Sequence, residues 1–248
     1  MEAPLSPVRS QKAYRSIVRT IVERIARGEL EYGNRLYNEQ ELMAMLGVSR
    51  PTLREALRVL EFLGIATVAP RRGIRINQPQ DSEGYLPLLS VMLFERITER
   101  ELFELRQALQ IEAVGHAAER CRDPHQKADL DAINEELAQL LTEDPVDPVR
   151  FARIDYAFHE QIATMADNRL AKKLLNTFGV LMKEQLVEIS RAMDPALRQK
   201  TLRFHREIAR QIDRGDPQEA RRVMREHLDR PYRTMTDRPI GVSCAGEL

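Results

Sequence analysis

The chain has 248 residues, 43% of them hydrophobic and 31% charged, which is enough apolar material for one large core or two modest ones and excludes wholesale disorder. Eleven Gly, thirteen Pro, thirteen aromatic residues and no Trp argue against a collagen-like chain, a low-complexity linker or an aromatic-cage protein. The net charge of zero hides a split of +5 over residues 1–80 and −5 over residues 81–248, which points to a basic and an acidic part with different tasks.

Cys121 and Cys244 stand far apart and form no CxxC, so a disulfide framework, a zinc ribbon or a cysteine-built iron–sulfur site is excluded. No apolar run approaches the roughly 18 residues of a membrane span, and Met1–Ser10 has no apolar signal core. The expectation is a cytoplasmic protein without membrane contact.

In chain order, Ala13, Ile17, Ile21 and Ile25, with Val18 and Val22, form a helical stripe that Gly28 and Gly33 end. A short second helix runs over Glu39–Leu46, with Leu42, Met43 and Leu46 facing inward. Gly47-Val48 turns the chain. Ser49 is placed to cap a third helix with Leu53, Ala56, Leu57 and Leu60 on its inner face, and Pro51 sits early, where its missing N–H costs little. Ile65–Val68 and Gly73–Ile76 read as short strands around a hairpin tip at Ala69–Gly73. Three helices and a hairpin make a winged helix-turn-helix.

A helix, a short turn and a helix let the second helix enter a major groove. That helix carries Arg50, Arg54 and Arg58 at spacing four, with Arg50 and Arg54 nearest its start. An arginine fork suits guanine O6/N7 or a phosphate. Ser49 and Thr52 add hydroxyls for the DNA backbone, and Arg71, Arg72 and Gly73 form a basic wing tip. Arg58 reads rather as a solvated residue paired with Glu55 or Glu61.

The stretch Asn77–Gly84 is polar and rich in breakers, and marks the domain boundary. Beyond it, helices are expected at Leu86–Phe94, Glu99–Arg120, His125–Leu141, Pro148–Met165, Asn168–Arg191, Pro195–Arg214 and Pro217–Asp229. About seven helices make an antiparallel bundle, so the fold class is mainly α. Its inner faces are expected from Leu102, Leu105, Leu109 and Ile111–Val114, from Phe151, Ile154, Phe158 and Ile162, and from Leu174, Leu175, Phe178, Leu181 and Met182. The domains are then 9–77 for the winged helix, 78–94 for a linker and connecting helix, 95–232 for the bundle and 233–248 for a flexible tail.

Polar residues interrupt those faces. Asp155 and His159 share one helix face, and His205 and His227 lie among apolar neighbours on two later helices. One carboxylate and three imidazoles suit a divalent ion with one or two open positions: zinc first, with nickel, manganese or iron as the other candidates. The alternatives are hydrogen-bonded core histidines and a plain Asp155–His159 salt link. Arg106 stands either toward a ligand carboxylate or in a bridge to Glu104 or Gln110 on its own helix.

Two resemblances sharpen this reading. Leu36-x-x-Glu39-x-Glu41-Leu42, then Leu46-Gly-Val-Ser-Arg-Pro-Thr-Leu-Arg-Glu-Ala-Leu57, Leu60-Glu-x-x-Gly64 and Arg72-Gly73 resemble the DNA-binding domain of the GntR family of bacterial transcription regulators. The resemblance implies a dimer on a short palindromic operator, base or backbone contacts from Arg50 and Arg54, and Gly73 in the wing. Gln40 stands where members often carry an arginine, a departure that bears on operator preference.

Asp155-Tyr-Ala-Phe-His159, Asn168-Arg169, His205-x-x-Ile208, Gly215-Asp216-x-x-x-Ala220 and Met224-x-x-His227-Leu228 resemble the ligand-binding FCD domain of the FadR subfamily. That resemblance implies a metal held by Asp155, His159, His205 and His227, and a sensor of small acids rather than of acyl-CoA. It also implies that Arg106, in Glu104-Leu-Arg106, faces the cavity. Seven helices rather than six likewise favour the FadR type.

The expected function is a metabolite-responsive regulator, a repressor first, working as a homodimer on double-stranded DNA and modulated by a small organic acid at a metal site. The rival is a metal-dependent hydrolase or lyase using the Asp/His cluster. Against it, no separate general base stands out, and Glu160 points off the metal face. A purely structural helical dimer is the third reading.

Overall fold

The computed structural model describes residues 11–33, 36–69, 73–78, 86–120 and 123–239. Arg71, Arg72, Cys121, Cys244 and most of the expected linker lie outside the described residues. The chain divides into two compact units, 1–91 and 92–248.

The first unit runs α1 (Gln11–Ala26), β1 (Leu36–Tyr37), α2 (Glu39–Leu46), α3 (Arg50–Phe62), β2 (Ala66–Ala69) and β3 (Gly73–Ile76). The apolar stripes become its core: Ile17, Ile21 and Ile25 of α1 pack with Leu42 of α2 and with Leu53, Ala56, Leu57 and Leu60 of α3. Burying each of these Ile and Leu side chains stabilises the unit by about 1.5–3 kcal/mol. Val22 falls off the stripe and is exposed.

The wing is a three-stranded antiparallel sheet of order β1-β3-β2, with Tyr37 opposite Ile74 and Val68 opposite Ile74 on the other side. The strand β1 is an addition to the expected hairpin. Two residues are too few to display a strand period, but Tyr37 is fully buried and its hydroxyl accepts a bond from the Glu31 amide at 3.0 Å.

Helix α2 starts on a reciprocal cap. The Asn38 side chain accepts from the Glu41 amide at 2.7 Å, and the Glu41 carboxylate accepts from the Asn38 amide at 2.9 Å. It ends at Gly47, whose φ of 65° is left-handed, and this sets the turn into α3. Ser49 occupies the N-cap of α3 without capping it. Its Oγ pairs instead with Thr52 Oγ1 at 2.7 Å, because the two hydroxyls one turn apart satisfy each other.

Helix α4 (Leu86–Phe94) spans the division between the units. The second unit then holds α5 (Glu99–Arg120), α6 (Pro124–Leu140), α7 (Pro148–Met165), α8 (Arg169–Leu181), α9 (Lys183–Arg191), α10 (Pro195–Arg214) and α11 (Pro217–Thr234). Four of these start on Asp-Pro. Asp123, Asp147, Asp194 and Asp216 each accept a backbone N–H of the first turn, and the following proline has no N–H to lose. Helix α5 packs against α7, α8, α10 and α11, so it lies at the centre of the bundle.

Three expectations need correction. The single helix expected over 168–191 breaks at Met182 into α8 and α9. Neither Gly nor Pro stands at the break, so the sequence carries no mark of it. Leu105 is half exposed rather than inward. The inner register of α5 runs through Leu102, Phe103, Arg106, Gln110, Ala113, Val114 and Ala117, so polar residues occupy two of its turns.

The expected tail from 233 is also ordered over its first residues. Helix α11 continues to Thr234, Met235 is buried, and residues 236–238 bond to the start of α5. The Glu99 and Arg100 amides donate to the Arg238 and Thr236 carbonyls at 3.0 and 3.2 Å, and Arg100 reaches Asp237 at 2.8 Å. Among the described residues, no helix is long and apolar enough to cross a membrane.

Candidate functional site

Two constellations stand out, one in each unit. In the first, α2 and α3 bring Glu39 against Arg50 and Arg54. Arg54 Nε donates to Glu39 Oε1 at 2.8 Å, and Arg50 Nε lies 3.1 Å from Glu39 Oε2. Both arginine side chains are more than half exposed, and Gln40 and Ser49 are exposed beside them. Thr52 is half-buried. Gly73 opens β3 with φ 97°, a conformation that favours glycine at this edge of the wing. Arg58 is exposed and, among the described residues, makes no salt bridge to Glu55 or Glu61. The Glu39 contact escaped the sequence reading, because a separation of 15 residues carries no periodic signal.

In the second unit, α7 contributes Asp155 and His159 one turn apart, α10 contributes His205 and α11 contributes His227. One ligand atom from each lies within 4.8 Å of all the others. His159 and His227 meet Nε2 to Nε2 at 3.2 Å, and His205 Nε2 stands 3.3 Å from Asp155 Oδ1. These two separations are close to the roughly 3.3–3.6 Å ligand–ligand edges of a tetrahedral shell with bonds near 2.0–2.2 Å, and the widest separation in the set stays within 4.8 Å. The Asp155–His159 salt link is not what forms, since the carboxylate turns to His205. The Glu160 carboxylate is held elsewhere, by Asn176 at 2.8 Å.

Rings fix these imidazoles. Phe158 stacks on His205 with centroids 3.7 Å apart and 6° between planes. Phe204 tilts against His227 at 5.6 Å. All three histidines are buried, while 22% of the Asp155 side chain is open.

The electrostatics favour the metal-ready protonation state. Burial holds His159 well below its ordinary range and, with the field of His205, takes His227 down to about 3. Burial works to raise Asp155, but the neighbouring His205, His159 and His227 outweigh it and hold the carboxyl below its ordinary range. A carboxylate and neutral imidazoles are the ligand forms that a metal takes.

A further observation tests the fit. His205 Nδ1 and Nε2 and His159 Nδ1 are buried with no hydrogen-bond partner. Each such nitrogen costs about 1–3 kcal/mol when stripped of water and left unpaired. An ion held by the Nε2 atoms would take up the His205 Nε2 share of that cost, while the two Nδ1 atoms lie outside it. The residues present therefore fit a divalent ion.

Arg106 lines a cavity with Asp155, His159 and His227 of the cluster and with Phe103, Ser190, Lys200, Thr201 and Phe204, while His205 lies behind its wall. It is 2% exposed, and burial lowers its pKa although Asp155 and Tyr156 work to raise it. Among the described residues it makes no salt bridge, so the bridge to Glu104 on its own helix does not form; Glu104 is exposed. Its guanidinium carbon lies 5.9 Å from the centroid of the Phe103 ring.

Comparison with known proteins decides the family. Residues 13–76 match the model described as bacterial regulatory proteins, gntR family, and residues 101–230 match the FCD domain. The chain belongs to the GntR family of bacterial regulatory proteins.

This GntR-family chain is a DNA-binding transcription regulator of the effector-responsive FadR type with an FCD domain, and not an enzyme. The HTH-type transcriptional regulator YcbG of Bacillus subtilis (strain 168) is 30% identical over 220 residues, 86% of each chain. LutR of the same organism is 27% identical over 82% of this chain and 92% of its own. The transcriptional repressor NanR of Cronobacter sakazakii is 25% identical over 92% and 87%. Among solved structures, Streptococcus agalactiae GntR matches with a TM-score of 0.70 at 24% identity, covering 89% of this chain and 99% of that one, and so shares the fold.

Proposed function

We propose that this GntR-family regulator is a cytoplasmic repressor that binds a palindromic operator as a homodimer and is released by a small organic acid. Residues 9–77 form the DNA-binding domain, 78–94 the connection and 95–232 the effector domain. Arg50 and Arg54 face base edges or phosphates, with Gln40, Ser49 and Thr52 beside them and Arg71, Arg72 and Gly73 at the wing.

In the effector domain, Asp155, His159, His205 and His227 would hold a divalent ion, zinc first, with nickel, manganese or iron as alternatives. When bound, the ion supplies a Lewis-acid point for a carboxylate. Arg106 offers a buried cation to the same ligand. Lys200, Ser190 and Thr201 line the remaining wall.

The observation that carries this reading is a cluster of one carboxylate and three imidazoles, of which Asp155, His159 and His227 line one cavity together with the buried guanidinium of Arg106. The cavity measures about 60 Å³, room for roughly four to six water-sized groups, which supports a short acid rather than an acyl chain. A repressor among the relatives supports the direction of control.

The test is a thermal-shift screen of mono-, di- and sugar acids on protein purified without chelator, before and after EDTA, with metal content measured in parallel. The reading expects at least one acid to raise the melting temperature only while metal is present. A protein without metal that responds to no acid would return the histidines to core duty.

A further inference from the structure

Glu39 is the first residue of α2, directly after the Asn38 cap, so its backbone is fixed by the reciprocal bonds at that helix start. Its side chain is 23% exposed, against 55% and 59% for Arg50 and Arg54. The carboxylate is thus the most enclosed of the three charged groups. Each oxygen meets one arginine, and in both cases the approach is to Nε.

The choice of nitrogen matters chemically. A guanidinium has a side edge that includes Nε and an end edge formed by its two terminal nitrogens. Contact at Nε uses the side edge and leaves terminal N–H groups for a guanine or a phosphate. Among the described residues, neither guanidinium has a second ion pair. Two cations share one anion, so the group keeps a net positive charge toward DNA.

We propose that Glu39 is a positioning residue for operator recognition, holding Arg50 and Arg54 side-on so that both present terminal N–H groups to the DNA. This rests on the reading of those arginines as operator contacts. It makes Glu39 a determinant of specificity and not a counter-ion that DNA must displace. Two long, flexible side chains are ordered before binding, so less freedom is lost when the operator is met.

The full-length protein tests this on an operator selected from a random duplex pool, with an unrelated duplex of equal length as reference. Affinities for both are measured across a salt series for wild type, E39Q, R50A/R54A and E39Q in the R50A/R54A background. Gln is uncharged and replaces one acceptor oxygen with a donor NH2, so it loses the two-oxygen, charge-assisted hold on both arginines.

The expected result is a loss of roughly ten- to a hundredfold in operator affinity for E39Q, the scale of one good base contact. Affinity for the unrelated duplex stays equal or rises, because a negative charge has left the interface. In the arginine-free background E39Q then costs nothing further.

Tighter operator binding by E39Q would make Glu39 a competing counter-ion and overturn the proposal. Parallel loss on both duplexes, or an equal loss in the arginine-free background, would overturn it in favour of a merely structural role. If R50A/R54A leaves operator affinity unchanged, the assignment of the arginines falls as well. Should E39Q not fold, as judged by its unfolding curve, E39D is read by the same criteria, since it withdraws the carboxylate by one methylene.

Discussion

His205 Nε2 stands 3.3 Å from Asp155 Oδ1 without forming an aligned hydrogen bond, although the histidine is completely buried. Two groups so placed share a focus rather than a proton. His159 and His227 bring their Nε2 atoms together at 3.2 Å in the same cluster.

Metal removal should therefore be felt as a loss of stability. With free metal at about a hundred times its Kd, chelation removes about 2.7 kcal/mol, or roughly 5–10 °C of melting temperature for a protein of this size. His205→Ala should carry no metal, and EDTA should shift its melting temperature little. Metal analysis and differential scanning calorimetry on both proteins check this.

The chelated protein should lose stability on acidification. In the unfolded chain the histidines titrate near 6.5. In the folded chain His227 sits at about 3 and His159 well below its ordinary value. Between those limits the unfolded state binds protons that the folded state refuses, so stability falls as pH falls. Their contribution is fully present above pH ~6.5 and is lost progressively toward pH ~3. A melting series from pH 7.5 to 4 should show this slope, and His227→Gln should make it shallower. A flat profile would contradict the buried, neutral histidines.

Arg106→Met separates ligand binding from metal binding. The guanidinium is buried and, among the described residues, forms no salt bridge, so removing its charge should not lower the stability of the ligand-free protein. Metal content should stay at the wild-type level. The melting shift produced by an acid should shrink, with affinity down by at least about tenfold, because truncating one partner of a buried charge pair costs about 2–5 kcal/mol. Calorimetric titration with the acid gives the number.

Two glycines on packed helices should respond differently to alanine. A Cβ at Gly179 would lie 2.0 Å from the rigid ring of Tyr156. Gly179→Ala should cost about 1–3 kcal/mol, as overpacking does. A Cβ at Gly115 would meet the far end of Arg221, a long side chain able to move. Gly115→Ala should cost clearly less, partly offset by the better helix propensity of alanine. Urea unfolding of the two variants ranks them.

Much of this fold was legible because its signals are local. The stripe Ile17, Ile21, Ile25 and the inner face Leu53, Ala56, Leu57, Leu60 follow the helical period, and each is buried as a set. Asp155 and His159 were legible as a pair because a spacing of four fixes a shared face on one helix. Their meeting with His205 and His227 depends on how α7, α10 and α11 pack, and no spacing encodes that; family resemblance supplied it.

Other features were hidden for definable reasons. Arg106 and Gln110 carry the inner register of α5 with polar side chains, so apolar counting placed Leu105 inward instead. Met182 breaks a helix without glycine or proline. The segment from Met235 to Arg238 is held by the first turn of α5, some 137 residues away in Arg100–Asp237, and shows no period of its own.

The most direct measurement of the central claim is operator binding by the metal-loaded regulator, followed by fluorescence anisotropy while an acid that stabilises it is added. The acid is expected to weaken binding in the metal-loaded protein, by a factor within about 5–150, and to do nothing after chelation. Equal release of operator from metal-free protein at the same acid concentration, or no release from the metal-loaded form, would contradict it.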